Sequence, residues 1–240
     1  MRKLLLMFLH SIGKSMPQVN KAKSRYNFDP LSLIQNRLNS AIPGDNQKME
    51  ALKKCISDQI MINRVALESI TSAFKPVEIK KGQYFLRSGS ICNKMAFIDV
   101  GYLRMYDIAD GKEITFWIGT SGKFITSLSS FVFQTTNFWN IQAVTDCRLL
   151  VIDREKHFEL CRIQPKWLEF DNLILAHAFA LLERSMFTQL HTTAQQRFEA
   201  LLNDEPALFN NVPLQYIASM LGITPESLSR LRKNLVNSTS

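Results

Sequence analysis

The segment LQYIASMLGITPESLSRLRKNL, residues 214–235, is the most informative part of the chain. Its apolar residues recur at helical spacing on both sides of Gly222, which predicts two short helices joined by a tight turn. Gly222 can adopt the left-handed conformation that ends a helix. Thr224 suits the N-cap of the second helix, and Pro225 suits its first position, where the missing N–H costs no hydrogen bond. Two helices connected in this way form a helix-turn-helix.

The inward side of this helix pair is predicted to be apolar. Ile217 and Leu221 lie one turn apart on the first helix, and the small Ala218 lets the second helix approach closely. A leucine stripe runs along the second helix as far as Leu235. The predicted core of the pair comprises Ile217, Ala218, Leu221, Gly222, Ile223, Leu228 and Leu231. An ordinary helical hairpin with a charged solvent face is the alternative interpretation.

The outward side of the second helix is predicted to contact DNA. Glu226, Arg230 and Lys233 lie opposite the leucine stripe, whereas Arg232 lies close to it. In the major groove Arg binds guanine and Glu accepts from the cytosine amino group, so we expect Glu226 and Arg230 to read bases. The other predicted contacts are Ser227 and Ser229 beside the base readers, and Gln215, Thr224 and Lys233 on phosphates.

A long helix is predicted upstream of this pair. Helical periodicity begins after Pro165 and places Leu168, Leu175, Phe179, Leu182, Met186 and Leu190 on one stripe. A small β-domain cannot cover a helix of about 25 residues, which is roughly 37 Å long. We therefore predict that the stripe pairs with its copy in a homodimer. The alternative is a helix buried within its own chain.

Residues 76–153 have the pattern of an all-β domain. Short β-rich runs alternate with glycine turns, and Asp110-Gly111 predicts a hairpin because both central positions of a type I′ turn need positive φ. The predicted strands are 95–100, 103–108, 114–118, 141–145 and 149–152. Many short strands at near-regular spacing indicate a jelly-roll β-barrel. Before them, residues 49–74 are predicted to be helical.

Charge is concentrated at the N-terminus. The net charge is +8, but residues 1–54 hold ten Lys/Arg and three Asp/Glu, which leaves 19 and 18 for the rest of the chain. The surplus therefore does not support DNA binding by the C-terminal helices. Residues 1–48 are expected to be a disordered basic arm, because the apolar run Leu4–Leu9 is too short for a signal peptide. The alternative is that translation begins at Met49.

Neither metal nor membrane is expected. The cysteines (Cys55, Cys92, Cys147 and Cys161) show no CxxC spacing, and the histidines (His10, His157, His177 and His191) are scattered. We expect reduced thiols, structural or surface histidines, and no cofactor. Residues 76–153 contain no histidine, which argues against a cupin-like metalloenzyme. No apolar run approaches the ~20 residues that cross a bilayer, so a cytoplasmic protein is expected.

The segment YIASMLGITPESLSR, residues 216–230, resembles the Crp/Fnr family of bacterial regulators, and in particular members common in Bacteroidetes-type bacteria. The resemblance extends over residues 49–235 and includes Gly122–Ile125 and Gln142–Thr145. It implies a β-roll of the cyclic-nucleotide-binding type, a dimerisation helix and a DNA-binding helix-turn-helix. The family's base-reading Glu and Arg match Glu226 and Arg230.

Other positions depart from the family. An Arg that some members use one residue before the base-reading Glu is Pro225 here, so a different target site is expected. Cyclic-nucleotide-binding members hold the ribose with a Gly-Glu pair and the phosphate with an Arg-Ser pair, and these pairs match Thr126-Ser127 and Asn137-Phe138. Loss of the charged phosphate contact costs roughly 1.5–3 kcal/mol. Thr126, Ser127, Asn137 and Phe138 are therefore candidate effector-pocket residues, and cyclic AMP is not the expected effector.

Two further family features are also missing or reduced. The N-terminal cysteine cluster of the oxygen-sensing branch is absent, and Cys92 is a weak candidate for a haem ligand. The β-wing that follows the second helix in the family is expected to be short or missing, because Ser240 comes soon after Leu235.

Taken together, the sequence predicts an α+β chain in four parts. These are the arm (1–48), a cyclic-nucleotide-binding-like β-roll (49–163), a dimerisation helix (164–191) and a helix-turn-helix domain (192–240). The predicted function is a non-enzymatic regulator of transcription that binds pseudo-palindromic double-stranded DNA as a homodimer, with RNA polymerase as a further candidate partner. The alternative is a ligand-sensing β-roll that acts through a protein partner rather than DNA.

Overall fold

The computed structural model describes the backbone of residues 49–238 and the side chains of residues 49–234. The predictions for the arm of residues 1–48, and for the side chain of Leu235, lie outside the described residues. Among the residues described, no helix is both long and apolar enough to cross a membrane.

Eight strands within the described residues form a β-sandwich. They are β1 (Lys75–Ile79), β2 (Tyr84–Leu86), β3 (Lys94–Val100), β4 (Leu103–Ala109), β5 (Lys112–Gly119), β6 (Phe124–Ile125), β7 (Asn140–Ala143) and β8 (Cys147–Asp153). They make two four-stranded sheets, with strand orders β1-β8-β3-β6 and β2-β7-β4-β5. The chain changes sheet at every connection except β4–β5, as in a double-sheet jelly roll. Within the described part of the chain, no ladder joins the sheets, so the structure is a sandwich and not the closed barrel that was predicted.

One apolar core lies between the sheets. Phe97 and Leu149 enter it from one sheet, and Leu103 and Ile141 enter it from the other. The five predicted strands are confirmed, and so is the hairpin, in which Asp110 and Gly111 both have positive φ. Strands β1, β2 and β6 were not predicted. Strand β1 exposes four of its five residues, and β2 and β6 are only three and two residues long, so none shows a clear alternation.

The helices flank the sandwich and follow it. They are α1 (Glu50–Ser57), α2 (Arg64–Thr71), α3 (Leu128–Phe133), α4 (Arg154–Ile163), α5 (Pro165–His191), α6 (Ala194–Asp204), α7 (Leu208–Asn211), α8 (Leu214–Met220) and α9 (Pro225–Ser238). The single helix predicted over residues 49–74 is wrong, because the segment divides into α1 and α2. The side chain of Asn63 accepts a hydrogen bond from the Ala66 N–H and so begins a new helix.

The long helix α5 is confirmed, and its two halves have different surroundings. Near its N-terminus, Trp167 and Phe170 are fully buried, and their rings pack against Phe74 and Phe124 beside the sandwich. Toward its C-terminus, the apolar side chains are exposed, from 39% for Leu182 to 84% for Leu190. The alternative that the chain itself buries the whole stripe is therefore wrong for the C-terminal half.

A second apolar core holds the C-terminal helices together. Phe198 of α6 and Leu208 of α7 pack with residues of α8 and α9. Ile118 and Val144 from the sandwich belong to the same core. The C-terminal helices are therefore packed directly against the sheet that contains β5.

Candidate functional site

The turn between α8 and α9 has the geometry that its sequence predicts. Gly222 has φ +69°, in the left-handed region, and its N–H donates to the Ser219 carbonyl over 3.1 Å. The Ile223 N–H donates to the Ala218 carbonyl over 3.0 Å, so the last carbonyls of α8 are satisfied. The Thr224 hydroxyl accepts from the Ser227 N–H over 3.2 Å, which makes it the N-cap of α9. The two helices are thus connected within four residues.

The inner face of the pair is buried. Ile217, Ala218 and Leu228 are fully buried and Leu221 is nearly so. Ile223 and Leu231 are half-buried and pack against the same core. Because these side chains face α6 and α7, the orientation of α9 about its own axis is fixed by packing.

The outer face of α9 is open to solvent. Glu226, Ser229, Arg230 and Lys233 are exposed, and Ser227 between them is half-buried. The predicted phosphate contacts Gln215 and Thr224 are exposed as well. Arg232, which the sequence places near the leucine stripe, also has an exposed side chain.

The outer face of α9 carries a negative and a positive side chain, Glu226 and Arg230, one turn apart. A hydrogen bond from its own backbone N–H, together with the Thr224 hydroxyl and the Arg230 guanidinium, holds the pKa of Glu226 below its usual value. The Arg230 Nη2 donates to the Ser227 hydroxyl over 3.2 Å. Near neutral pH the surface therefore presents an ionised carboxylate and a guanidinium one turn apart, beside two hydroxyls.

Arg197 of α6 positions the turn, a role that was not predicted. Its guanidinium donates to the Leu221 carbonyl over 3.1 and 3.2 Å and to the Thr192 carbonyl over 2.7 Å. These charge-assisted bonds tie the end of α8 to the connection between α5 and α6. The residue lies 24 positions before its main acceptor, so no local pattern indicated its role.

Two contacts fasten α8 to the β4–β5 hairpin. The Ser219 hydroxyl accepts from the Thr115 N–H over 2.9 Å and donates to the Glu113 carbonyl over 3.1 Å. Arg104 is only 1% exposed, and its guanidinium lies 3.9 Å from the ring centre of Tyr216 on α8. Here the edge of the sandwich is joined to the helix that supports α9.

Two further groups compensate the positive charge of the Arg104 guanidinium. Its guanidinium also lies 3.9 Å from the ring centre of Tyr106, and it pairs with the Glu113 carboxylate at 2.6 Å. A buried charge with such partners is costly to disturb, because removing one partner leaves the charge uncompensated. This contact therefore couples the position of α8 to the sandwich.

The predicted effector residues are partly used by the sandwich itself. The Thr126 hydroxyl donates to the Lys94 carbonyl over 2.9 Å. The Asn137 amide is buried, donates to the Arg87 and Trp139 carbonyls, and accepts from the Trp139 N–H. Ser127 is buried, and no described residue bonds its hydroxyl, whereas Phe138 is exposed. A ligand at these positions stays a prediction.

Comparisons with known proteins agree with this architecture. Residues 76–164 match the family described as cyclic nucleotide-binding domain. No curated protein sequence matches the chain.

Solved structures share the fold over most of the chain. FixK2 from Bradyrhizobium japonicum has a TM-score of 0.61 at 15% identity, covering 69% of this chain and 86% of its own. The c-di-GMP responsive regulator CLP of Xanthomonas campestris has a TM-score of 0.59 at 18% identity, covering 74% and 93%. A regulator assigned to the Crp/Fnr family from Eubacterium rectale has a TM-score of 0.57 at 20% identity, covering 73% and 85%. The chain thus contains a cyclic nucleotide-binding domain fold, and the solved structures that share it include a regulator of the Crp/Fnr family.

Proposed function

We propose that the chain is a transcription regulator of the Crp/Fnr type that binds double-stranded DNA through the exposed face of α9. The observation that carries the proposal is the orientation of this helix, with Leu228 fully buried and Glu226 and Arg230 in solvent. A second helix held in a rigid pair, with its polar side free, is the arrangement that enters the major groove in helix-turn-helix proteins.

The chemistry of the free face supports sequence-specific contacts. Arg230 can donate two parallel hydrogen bonds to a guanine, and an ionised Glu226 can accept from a cytosine amino group. Ser227 and Ser229 flank this pair, and Gln215, Thr224 and Lys233 lie where phosphate contacts would orient the helix. The likeness of residues 216–230 to members from Bacteroidetes-type bacteria supports the same assignment of Glu226 and Arg230.

The exposed stripe on α5 supports a homodimer. Leu182, Met186 and Leu190 lie on one side of the helix and face solvent in the single chain. Burial of each such side chain contributes roughly 1.5–3 kcal/mol, so pairing two copies of the helix would stabilise a dimer. A dimer presents two copies of α9 about one turn of DNA apart, roughly 34 Å, and therefore requires a pseudo-palindromic site.

Cyclic AMP is not the proposed effector. The position of the phosphate-binding Arg is occupied by Asn137, whose amide is already bonded to the loop around Trp139. The matching positions thus offer no cation to a phosphate. The solved structures that share the fold belong to regulators rather than enzymes, which favours a regulator without a catalytic cofactor. We propose that it acts in the cytoplasm, with RNA polymerase as a candidate partner.

Selection of bound duplexes from a randomised DNA pool tests the proposal. We expect a two-fold symmetric consensus with half-sites one helical turn apart, and an affinity that falls steeply with salt because phosphate contacts release counterions. Failure to bind any duplex at low salt would contradict the proposal. It would favour instead a sandwich that senses a ligand and acts through a protein partner.

The dimer has its own test. The double variant Leu182→Asp with Met186→Asp places two charges on the stripe and is expected to convert the dimer to a monomer in analytical ultracentrifugation. The matched control is Lys166→Asp with Glu169→Lys at the N-terminal end of the same helix, where an exposed ion pair is reversed. A double variant that sediments like the parent chain would show that the stripe is not the interface.

A further inference from the structure

Three potential metal ligands meet where α4 contacts α5. His157 and Cys161 lie one turn apart on α4, and Asp171 reaches them from the second turn of α5. The His157 Nε2 lies 3.7 Å from the Cys161 Sγ and 3.7 Å from the Asp171 Oδ2, and the sulfur lies 4.0 Å from the same oxygen. Among the described residues, this is the cluster of three or more such side chains whose ligand atoms converge.

These separations are too long for direct hydrogen bonds between the nitrogen and oxygen, which span 2.7–3.2 Å. They do suit an ion shared by all three atoms. The in-plane point equidistant from atoms at these separations lies about 2.2 Å from each, and a tetrahedral ion slightly out of the plane lies about 2.3 Å from each, at the upper end of the roughly 2.0–2.3 Å found for Zn²⁺ ligands.

The three side chains are largely shielded from solvent. His157 is 3% exposed and the Asp171 side chain is 13% exposed, and Cys161 is half-buried. A divalent cation held by a neutral imidazole, a thiolate and a carboxylate would form a site with no net charge.

The His157 ring can present its Nε2 lone pair to the site, while its Nδ1 lacks, within the described part of the chain, the protein acceptor that commonly orients a metal-bound imidazole. The His157 Nδ1 is buried and has no hydrogen-bond partner among the described residues, so its proton is not fixed by the protein. With the proton on Nδ1, the Nε2 lone pair faces the sulfur and the oxygen. This is the form of imidazole that binds a metal.

We propose that His157, Cys161 and Asp171 form a Zn²⁺ site, with water or another exogenous ligand in the fourth position. One nitrogen, one thiolate and one carboxylate are a donor set that Zn²⁺ accepts, and three protein ligands leave a tetrahedral site open. The site would join the last helix of the sandwich to the base of α5. The inference goes beyond the proposed function and does not depend on DNA binding.

The expectation of no metal rests on the absence of two ligands paired in one tight turn of the sequence. In the structure the pair is His157 and Cys161 at i, i+4 on a helix, and the third ligand follows ten residues later on the next helix. That spacing is meaningful only once α4 and α5 are known to pack together at this point.

Cobalt substitution in the full chain tests the site. The chain is stripped with a chelator and titrated with Co²⁺, whose thiolate complexes absorb in the near ultraviolet and whose tetrahedral complexes show intense visible bands. We expect one equivalent to bind with both signals, and Zn²⁺ to displace it. A stripped chain that develops neither signal would overturn the proposal, as would one that shows only the weak spectrum of hexahydrated cobalt.

Variants identify the ligands. Cys161→Ser is expected to abolish the near-ultraviolet band, and Asp171→Asn to weaken Co²⁺ binding by more than the 10–100-fold that loss of an outer-shell partner costs. Cys55→Ser is the matched control, since Cys55 is also half-buried but lies outside the cluster, and it should retain both signals. Circular dichroism verifies that each variant is folded. If Cys161→Ser is unfolded, Asp171→Asn decides: unchanged affinity in that variant contradicts the site, as does a band lost in Cys55→Ser.

Discussion

The polar side chains on the outer face of α9 differ in exposure and in hydrogen bonding from those at the predicted effector positions of the sandwich. On α9, Glu226 and Arg230 project into solvent from a helix that is held by its apolar side. In the sandwich, the buried Asn137 amide donates to the Trp139 carbonyl of its own loop, and the Thr126 hydroxyl donates to the Lys94 carbonyl at the start of β3. Both regions resemble the same family in sequence, but at the effector positions two of the three polar side chains are already bonded to the backbone, whereas the charged groups of α9 are exposed.

This difference teaches that resemblance at the level of fold does not transfer a binding site. A site is transferred only where the side chains that make it are present and free. The sandwich keeps the architecture of a cyclic nucleotide-binding domain while its polar groups stabilise loops. We therefore expect substitutions in the sandwich to change stability, and substitutions on the face of α9 to change recognition.

The largest effect is expected from Leu228→Ala. This side chain is fully buried between α9 and the core of the C-terminal helices, so its truncation should lower the free energy of unfolding by roughly 2–5 kcal/mol. Chemical denaturation monitored by circular dichroism measures the change. Leu231→Ala is the matched control and should lose less, because Leu231 is half-buried. Equal losses in the two variants would show that α9 is rotated about its axis, so that the two leucines are buried to the same extent.

The variant Asn137→Ala tests whether this side chain stabilises the sandwich. Removing the amide leaves buried carbonyl and N–H groups of the loop without partners, which costs roughly 1–3 kcal/mol. Thermal unfolding should show the loss, and DNA affinity below the transition should be unchanged. Asn140→Ala, which removes a single bond to the Ser88 N–H, should have a smaller effect. A stable Asn137→Ala variant would mean that this residue is free for a ligand after all.

The smallest effect is expected from cyclic AMP itself. A ligand stabilises the folded state by RT ln(1 + [L]/Kd), so a ligand without a cation to hold its phosphate should shift the melting temperature by less than about 1 °C at millimolar concentration. Differential scanning fluorimetry checks this directly. A shift of several degrees would show that the sandwich binds cyclic AMP, which would contradict the difference drawn between its effector positions and the face of α9.

The C-terminal helices were the easier part to predict because their signals are local. Gly222, Thr224 and Pro225 each indicate a helix boundary within four residues, and the leucine spacing then fixes which side of α9 is buried. The hairpin at Asp110-Gly111 and the long helix after Pro165 could be predicted for the same reason.

What the sequence could not provide depends on distant parts of the chain. Strand β1 pairs with β8 some 70 residues later, and its exposed residues show no pattern of their own. Arg197 acts on a carbonyl 24 residues away, and Arg104 reaches Tyr216 across more than a hundred. His157, Cys161 and Asp171 converge only because two consecutive helices pack against each other. Such contacts follow from the fold and leave no short motif behind.

The most direct test of the central claim is the affinity of Arg230→Ala for the selected DNA site and for each of its single base-pair variants. We predict a loss of roughly 1–3 kcal/mol on the preferred site, about 5- to 150-fold, together with loss of preference at one base pair in each half-site. Arg232→Ala, a neighbour that is also exposed, should keep the preference at every position. An Arg230→Ala variant that retains the complete pattern of base preferences would contradict the claim, because the face of α9 would then not be the surface that reads DNA.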